Sequence, residues 1–378
     1  MPSVADIVRR WGPAYLSRFG QKMPQRHRQV LSLIAKCRTG ELGSVVYHCE
    51  HCHTTHAIGR SCGDRHCPTC QRQKTEAWRE AQNQRLLPCQ HFLFTFTLPA
   101  SLRDFVRAHQ QACYEALFRA SSQTLRVLLA DPKYVGTDDP GFLGVLHTWG
   151  RTLGYHPHVH YIVPGGGLTE GRTRWVNSRP GFLIPVKAAS KIYRAKFRDE
   201  VQQAGLLEQI PASVWSEAWV VHSQAAGDGR HAVRYLSNYV FQVAISDHRM
   251  VSLEETPDGQ GQVTFHYRKS GSNRRRTMML TAFEFLRRFL QHVLPSGFQK
   301  VRSYGFWSAR RKQDFERVRW LATLAQGQVY ELTSLPPQKP KPAATCPQCG
   351  GPLTLLMIIW PDHRITVPRR RPPPLDSS

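Results

Sequence analysis

Between residues 158 and 163 the chain alternates: Val159, Tyr161 and Val163 interleave with His158, His160 and Ile162. Side chains on a strand repeat every two residues, so this pattern predicts a strand that carries both histidines on one face. A second predicted strand, 142–149, precedes it through a turn containing Gly154, and Gly165-Gly166-Gly167 ends it. The aromatic and threonine-rich run 91–99 predicts another strand, followed by a helix that Ser101 can cap and that runs to about Leu129. Helical spacing of apolar residues marks two short helices within 4–36, one from Gln71 to Leu87, one from Ala188 to Gln203 and one from about Arg230 to Phe241. A last one spans Ala282 to Val293, with Phe285, Leu286, Phe289 and Leu290 on one side. Further strands are expected at 174–176 and 218–223, and a hairpin at 251–253 and 263–267. Strands and helices follow in mixed rather than alternating order, which predicts an α+β fold with a central, largely antiparallel sheet flanked by helices.

Residues 37–70 break the pattern with a cysteine-rich segment. Cys49-x-x-Cys52 and Cys67-x-x-Cys70 have the spacing of zinc knuckles, and together they would close a tetrahedral four-thiolate shell. Cys37, Cys62 and His66 are surplus donors for a second site. A third pair, Cys346-x-x-Cys349, follows a proline-rich linker at 334–344 and stands without a second knuckle after it. The divisions expected are N-terminal helices (1–36), a zinc-binding module with its connecting helix (37–87), a mixed strand-and-helix core (88–250), a C-terminal hairpin and helices (251–333), and a linker, knuckle and basic tail (334–378).

Charge narrows the function. Lys and Arg outnumber Asp and Glu 51 to 27, a net charge of +24, which points to a polyanionic partner, nucleic acid before an anionic membrane. The longest apolar run, Leu355 to Trp360, is far too short to cross a bilayer. With no signal-like N-terminus, a reducing cytoplasm and metal-bound cysteines are expected. The run Lys269 to Arg276, including Arg274 and Arg275, is a candidate phosphate-contact loop.

On the helix from Arg230, Tyr235 and Tyr239 stand four residues apart and share a face, while Val233, Leu236 and Val240 form a different stripe. An isolated H-x-H is more often decorative than a ligand pair, and a lone tyrosine pair is usually packing. A strongly basic chain that holds both contains the parts for metal-assisted phosphodiester transfer. A phenol is protonated at neutral pH and needs an electrophile made more reactive, which a divalent ion on His158 and His160 would provide.

The motifs Ser61-Cys-Gly-Asp-Arg-His-Cys-Pro68-x-Cys70, Phe94-Thr-Phe-Thr-Leu-Pro99, Leu146-His-Thr-Trp-Gly150, His156-Pro-His-Val-His160 and Tyr235-Leu-x-x-Tyr239 occur in order. With them the sequence resembles the two-tyrosine rolling-circle transposases of insertion-sequence family ninety-one, in the HUH superfamily. That resemblance implies an HUH endonuclease domain that nicks and rejoins single-stranded, hairpin-containing DNA ends through 5′-phosphotyrosine intermediates. It implies Tyr235 and Tyr239 as nucleophiles and His158 and His160 as ligands of Mg²⁺ or Mn²⁺, beside structural Zn²⁺. His147 on the preceding strand is the favoured third ligand and Gln242 the alternative. A plasmid or phage rolling-circle replication initiator is the nearest rival reading, and a non-catalytic zinc-dependent DNA-binding protein a rival of another class.

Overall fold

The computed structural model describes residues 2–241, 244–268, 272, 274–328 and 344–368. Helix α1 (Val4–Phe19) opens on a reciprocal cap: the Ser3 hydroxyl accepts the Asp6 N–H while the Asp6 carboxylate accepts the Ser3 N–H. Helix α2 (Gln25–Lys36) lays Val30, Leu31 and Ile34 beside Ile7, Val8 and Trp11 of α1, in a core shared with Phe265, Phe285 and Phe289 from far along the chain. Strands β1 (Ser44–Cys49) and β2 (Thr55–Gly59) form an antiparallel hairpin, and α3 (Pro68–Asn83) starts with proline in its first turn, where no N–H is needed.

The core expected at 88–250 begins at β3 (His91–Thr97). The single helix expected after Ser101 is divided into α4 (Arg103–Ala108) and α5 (Gln110–Ala130), because His109 leaves helical geometry at φ −118° and ψ 44°. Strands β4 (Phe142–Trp149) and β5 (Tyr155–Pro164) follow, then the short hairpin of β6 (Gly166–Thr169) and β7 (Arg174–Asn177). Next come α6 (Val186–Gln203), β8 (Val220–Ala225) and α7 (Arg230–Phe241). Then β9 (Met250–Glu254), β10 (Gln262–Arg268) and β11 (Arg275–Thr281) make a three-stranded antiparallel sheet that leads into α8 (Ala282–Leu290). The described chain ends with β12 (Val301–Tyr304), α9 (Phe315–Leu324), β13 (Leu353–Ile359) and β14 (Ile365–Thr366).

Five strands form the central sheet in the order β12-β4-β5-β3-β8, every neighbouring pair antiparallel. The expected α+β architecture with a central antiparallel sheet is what the chain forms. Alternation sorts its two faces. Phe92, Phe94, Phe96, Phe142, Leu146, Val159, Tyr161 and Val163 point to one side, where α5 and α6 cover them with Leu117, Phe118, Tyr193 and Phe197. Leu143, Val145 and Ile162 point to the other, where Val233, Leu236 and Val240 of α7 seal them. At Gly144 the backbone faces the Tyr161 ring, which would lie 2.5 Å from an added Cβ, so only glycine fits there without a shift.

Three further features depart from the sequence expectation. Where a two-stranded hairpin and a basic connection were expected, β11 adds a third strand that contains Arg275 and Arg276. Helix α8 ends at Leu290 rather than Val293. The segment after the proline-rich linker returns to the N-terminal hairpin: β13 pairs antiparallel with β1, giving a four-stranded sheet in the order β14-β13-β1-β2. The linker itself and the Pro368–Pro374 tail lie almost wholly outside the described residues.

Candidate active site and cysteine clusters

Register places the histidines. His147 of β4 is the direct cross-strand partner of His158 of β5, and Thr95 of β3 is the partner of His160. All four side chains therefore emerge on the face that α7 covers. His147 Nδ1 lies 2.8 Å from His158 Nε2, which is 3.1 Å from His160 Nε2. Their outer nitrogens are held from behind: His158 Nδ1 sits 2.6 Å from the His156 carbonyl oxygen and His160 Nδ1 2.8 Å from the Thr95 hydroxyl. The first bond fixes the proton on Nδ1 and leaves the His158 Nε2 lone pair facing inward. His147 Nε2 is buried without a hydrogen-bond partner.

Burial keeps all three rings neutral. It pushes His158 down to about 3 and holds His147 and His160 well below the ordinary imidazole range, the neighbouring rings adding to the effect. Neutral imidazoles with inward-facing nitrogens, two of the three braced from outside, are the donor set that a divalent cation takes. His156 is not part of it, because its Nδ1 accepts from the Arg103 guanidinium at 2.9 Å. Gln242, the alternative third ligand, lies outside the described residues.

The two tyrosines of α7 overhang this cluster. The Tyr239 ring is centred 4.0 Å from that of His147 and 5.9 Å from that of His160, and the Tyr235 ring 5.4 Å from that of His160. Their own ring centres are 4.8 Å apart at a steep angle. Tyr235 is exposed, whereas burial, with Tyr235 beside it, raises the Tyr239 phenol well above its ordinary range. The phenol therefore carries its proton in the free protein. Lys300, deeply buried, donates from Nζ to the Tyr239 carbonyl oxygen at 3.1 Å and ties the end of α7 to the segment preceding β12.

Beside Tyr239 opens a cleft of about 580 Å³, lined by Arg151, Arg249, Arg268, Arg275, His248 and His266 among others. Among the described residues no carboxylate lines it. The Arg249 guanidinium is fixed by bonds to the His266 and Arg151 carbonyl oxygens at 2.7 and 2.6 Å, and its burial lowers it to about 10. Of the expected phosphate contacts, Arg275 lines this cleft, Arg274 and Arg276 are exposed, and Lys269 lies outside the described residues. Arg268 directly precedes the Lys269 to Arg276 run, whereas Arg151, Arg249 and Thr95 are not among the sequence candidates, because only strand register and the β4–β5 turn bring them to the site.

The cysteines assemble differently from the expectation. Cys49, Cys52, Cys67 and Cys70 do not form one shell. Cys67 and Cys70 converge with Cys37 and Cys62, while Cys49 and Cys52 converge with Cys346 and Cys349, the ligand atoms within 4.8 Å of one another in each group. The reason is topological: Cys37 ends α2 and Cys67 and Cys70 begin α3, whereas Cys49 ends β1 beside the returning β13. Spacing identifies knuckles but not which knuckles pair. His66 does not join the first group, because its Nδ1 lies 2.8 Å from Asp64 Oδ1 and its Nε2 accepts the Leu294 N–H at 3.1 Å.

Comparison with known proteins identifies the family. The chain matches a family described as "Transposase zinc-binding domain" over residues 7–98 and one described as "Putative transposase" over residues 141–314. It is 36% identical over 332 residues to "Putative transposase y4qJ" of Sinorhizobium fredii, covering 82% of each chain. It is 26% identical over 307 residues to the transposase for insertion sequence element IS801 of Pseudomonas savastanoi pv. phaseolicola, covering 75% of this chain and 70% of that one. No solved structure matches the chain. The protein is thus a DNA-processing enzyme of the transposase class with an N-terminal zinc-binding domain. It belongs to the IS91 family of insertion-sequence transposases.

Proposed function

We propose that the protein nicks and rejoins single-stranded DNA at insertion-sequence ends, using Tyr239 and Tyr235 as nucleophiles in an HUH-type active site. The observation that carries this reading is the pair of phenols on one helix standing directly over three neutral, convergent histidines. His158, His160 and His147 would hold a divalent ion, Mg²⁺ or Mn²⁺. When bound, such an ion supplies Lewis-acid polarisation of the scissile phosphate.

In each transfer a tyrosine Oη attacks phosphorus, the bond from phosphorus to the 3′ oxygen breaks, and the phenolic proton leaves with net transfer to the released 3′-hydroxyl. The product is a 5′-phosphotyrosyl link that conserves bond energy for rejoining. Two tyrosines 4.8 Å apart allow one strand to be held while a second is cut. The arginine-rich cleft beside Tyr239 orients the substrate backbone, with Arg268 and Arg275 lining it and Arg249 fixed by backbone carbonyls. Such a cleft selects for phosphates rather than for sequence, so recognition of hairpin-containing ends falls to other surfaces.

The test is incubation of the protein with labelled single-stranded element-end DNA and Mg²⁺ or Mn²⁺, followed by denaturing electrophoresis. A denaturant-resistant adduct is expected from wild type and none from the Tyr235→Phe/Tyr239→Phe double variant. His158→Ala/His160→Ala is expected to abolish cleavage while DNA binding is largely retained. An adduct equally abundant in the tyrosine double variant would overturn the assignment of the nucleophiles.

A further inference from the structure

We propose that Cys49, Cys52, Cys346 and Cys349 form a second structural zinc centre, one that clasps the C-terminal segment to the N-terminal module. Cys346 and Cys349 lie beyond both stretches that match the transposase families. The inference does not rest on the phosphotyrosine chemistry.

The thiol geometry supports it first. Cys49 Sγ is 3.5 Å from Cys349 Sγ, and Cys52 Sγ is 3.6 Å from Cys346 Sγ. A tetrahedral zinc with bonds of about 2.3 Å to sulfur separates its sulfurs by about 3.8 Å, close to these spacings. Disulfides would bring paired sulfurs to about 2.05 Å, far inside these spacings.

Local backbone supplies an independent argument, because the two knuckles have the same turn. In the first, the His53 N–H donates to the Cys49 carbonyl oxygen and the Cys49 N–H to that of Thr54. In the second, the Gly350 N–H donates to the Cys346 carbonyl oxygen and the Cys346 N–H to that of Gly351. The residue after the second cysteine is left-handed in both, His53 at φ 58° and Gly350 at φ 73°. Two copies of one turn, about 300 residues apart in sequence, face each other and present four sulfurs to one point.

The surroundings suit thiolates. The Gly351 N–H donates to Cys349 Sγ at 3.4 Å, and His56 Nε2 lies 3.2 Å from Cys346 Sγ. The Thr54 hydroxyl donates across the two knuckles to Gln348 Oε1 at 3.1 Å. Gly351 is also spatially required, since a Cβ there would come 3.3 Å from Cys349 Sγ, 3.5 Å from Cys49 Sγ and 2.8 Å from the His51 side chain. Four thiolates close the shell and leave no open position, so the centre is structural rather than catalytic. It holds β13 in register with β1 and makes the two ends of the described chain one unit.

The experiment is metal analysis and alkylation mapping on the full chain purified in reducing buffer without chelator. Cys346→Ser/Cys349→Ser is expected to hold one zinc ion fewer per chain than wild type. Cys349 is exposed, so a free thiol there would alkylate rapidly. With zinc bound it is expected to be protected until a strong chelator is added. That second readout needs no variant and does not depend on the folding of one. Equal zinc content in wild type and the double variant, or rapid alkylation of Cys349 without chelator, would overturn the proposal.

Discussion

Thr95 shows how much a single hydroxyl can carry. It faces His160 across the β3–β5 ladder and fixes that ring through a 2.8 Å bond to Nδ1. Thr95→Val keeps the shape and removes the bond, so metal affinity at the histidine site should fall by roughly 10- to 100-fold with the fold intact. Titrating Mn²⁺ against adduct formation checks this; an unchanged midpoint would mean that the ring needs no such brace. Lys300 is a second residue whose environment has a measurable consequence. Burial lowers its amine to about 7, well under the value of an unfolded lysine. The unfolded chain therefore binds more protons above pH 7, and the cost of burying the ammonium is relieved as pH rises through that value. Urea midpoints of wild type should gain between pH 7 and 9 relative to those of Lys300→Met. Equal slopes for the two proteins would contradict the assignment.

At the scale of elements, what was legible in sequence and what was not follow one physical line. Strand β5 declared itself through strict alternation, and α7 through tyrosines at i and i+4 on a face distinct from Val233, Leu236 and Val240, because these periodicities are local. The partner of each element is not local. Leu355 to Trp360 was visible as an apolar run, but nothing near it reveals that Leu353–Ile359 pairs with a strand 300 residues earlier. The same loss of information misassigned the cysteine knuckles and hid Thr95, Arg151 and Arg249. Strand β11 escaped notice because its face is half exposed, with Met279 at 63% and arginines at its start, so it carries little hydrophobic alternation. The packing of β4 on β5 gives a prediction at this scale. A methyl at Gly144 meets the Tyr161 ring, whose hydroxyl is anchored to Ser121 at 2.8 Å, so the ring cannot yield freely. Gly144→Ala should destabilise the core by about 1–3 kcal/mol. A denaturation midpoint equal to wild type would show that the ring moves aside at no cost.

Across the whole molecule, charge and topology converge on one edge of α7. The central sheet sets three histidines under the helix, while the β9–β11 sheet and the β4–β5 turn bring arginines to its side. With a net charge of +24, binding of single-stranded DNA should weaken steeply with salt. Replacing Arg268 or Arg275 by alanine should lower the slope of log affinity against log salt by about 1 each, without changing the zinc content. A slope unaffected by both would place the DNA elsewhere. The central claim, that the paired phenols of α7 attack DNA, has a direct test in where the nucleotide becomes attached. The tryptic peptide from Tyr235 to Arg249 contains both tyrosines. After reaction with element-end single-stranded DNA and Mg²⁺, nuclease trimming and tandem mass spectrometry should find a nucleotide 5′-phosphate on Tyr235 or Tyr239 of that peptide. A nucleotide on any other residue, or cleaved DNA with this peptide wholly unmodified throughout the reaction, would contradict it.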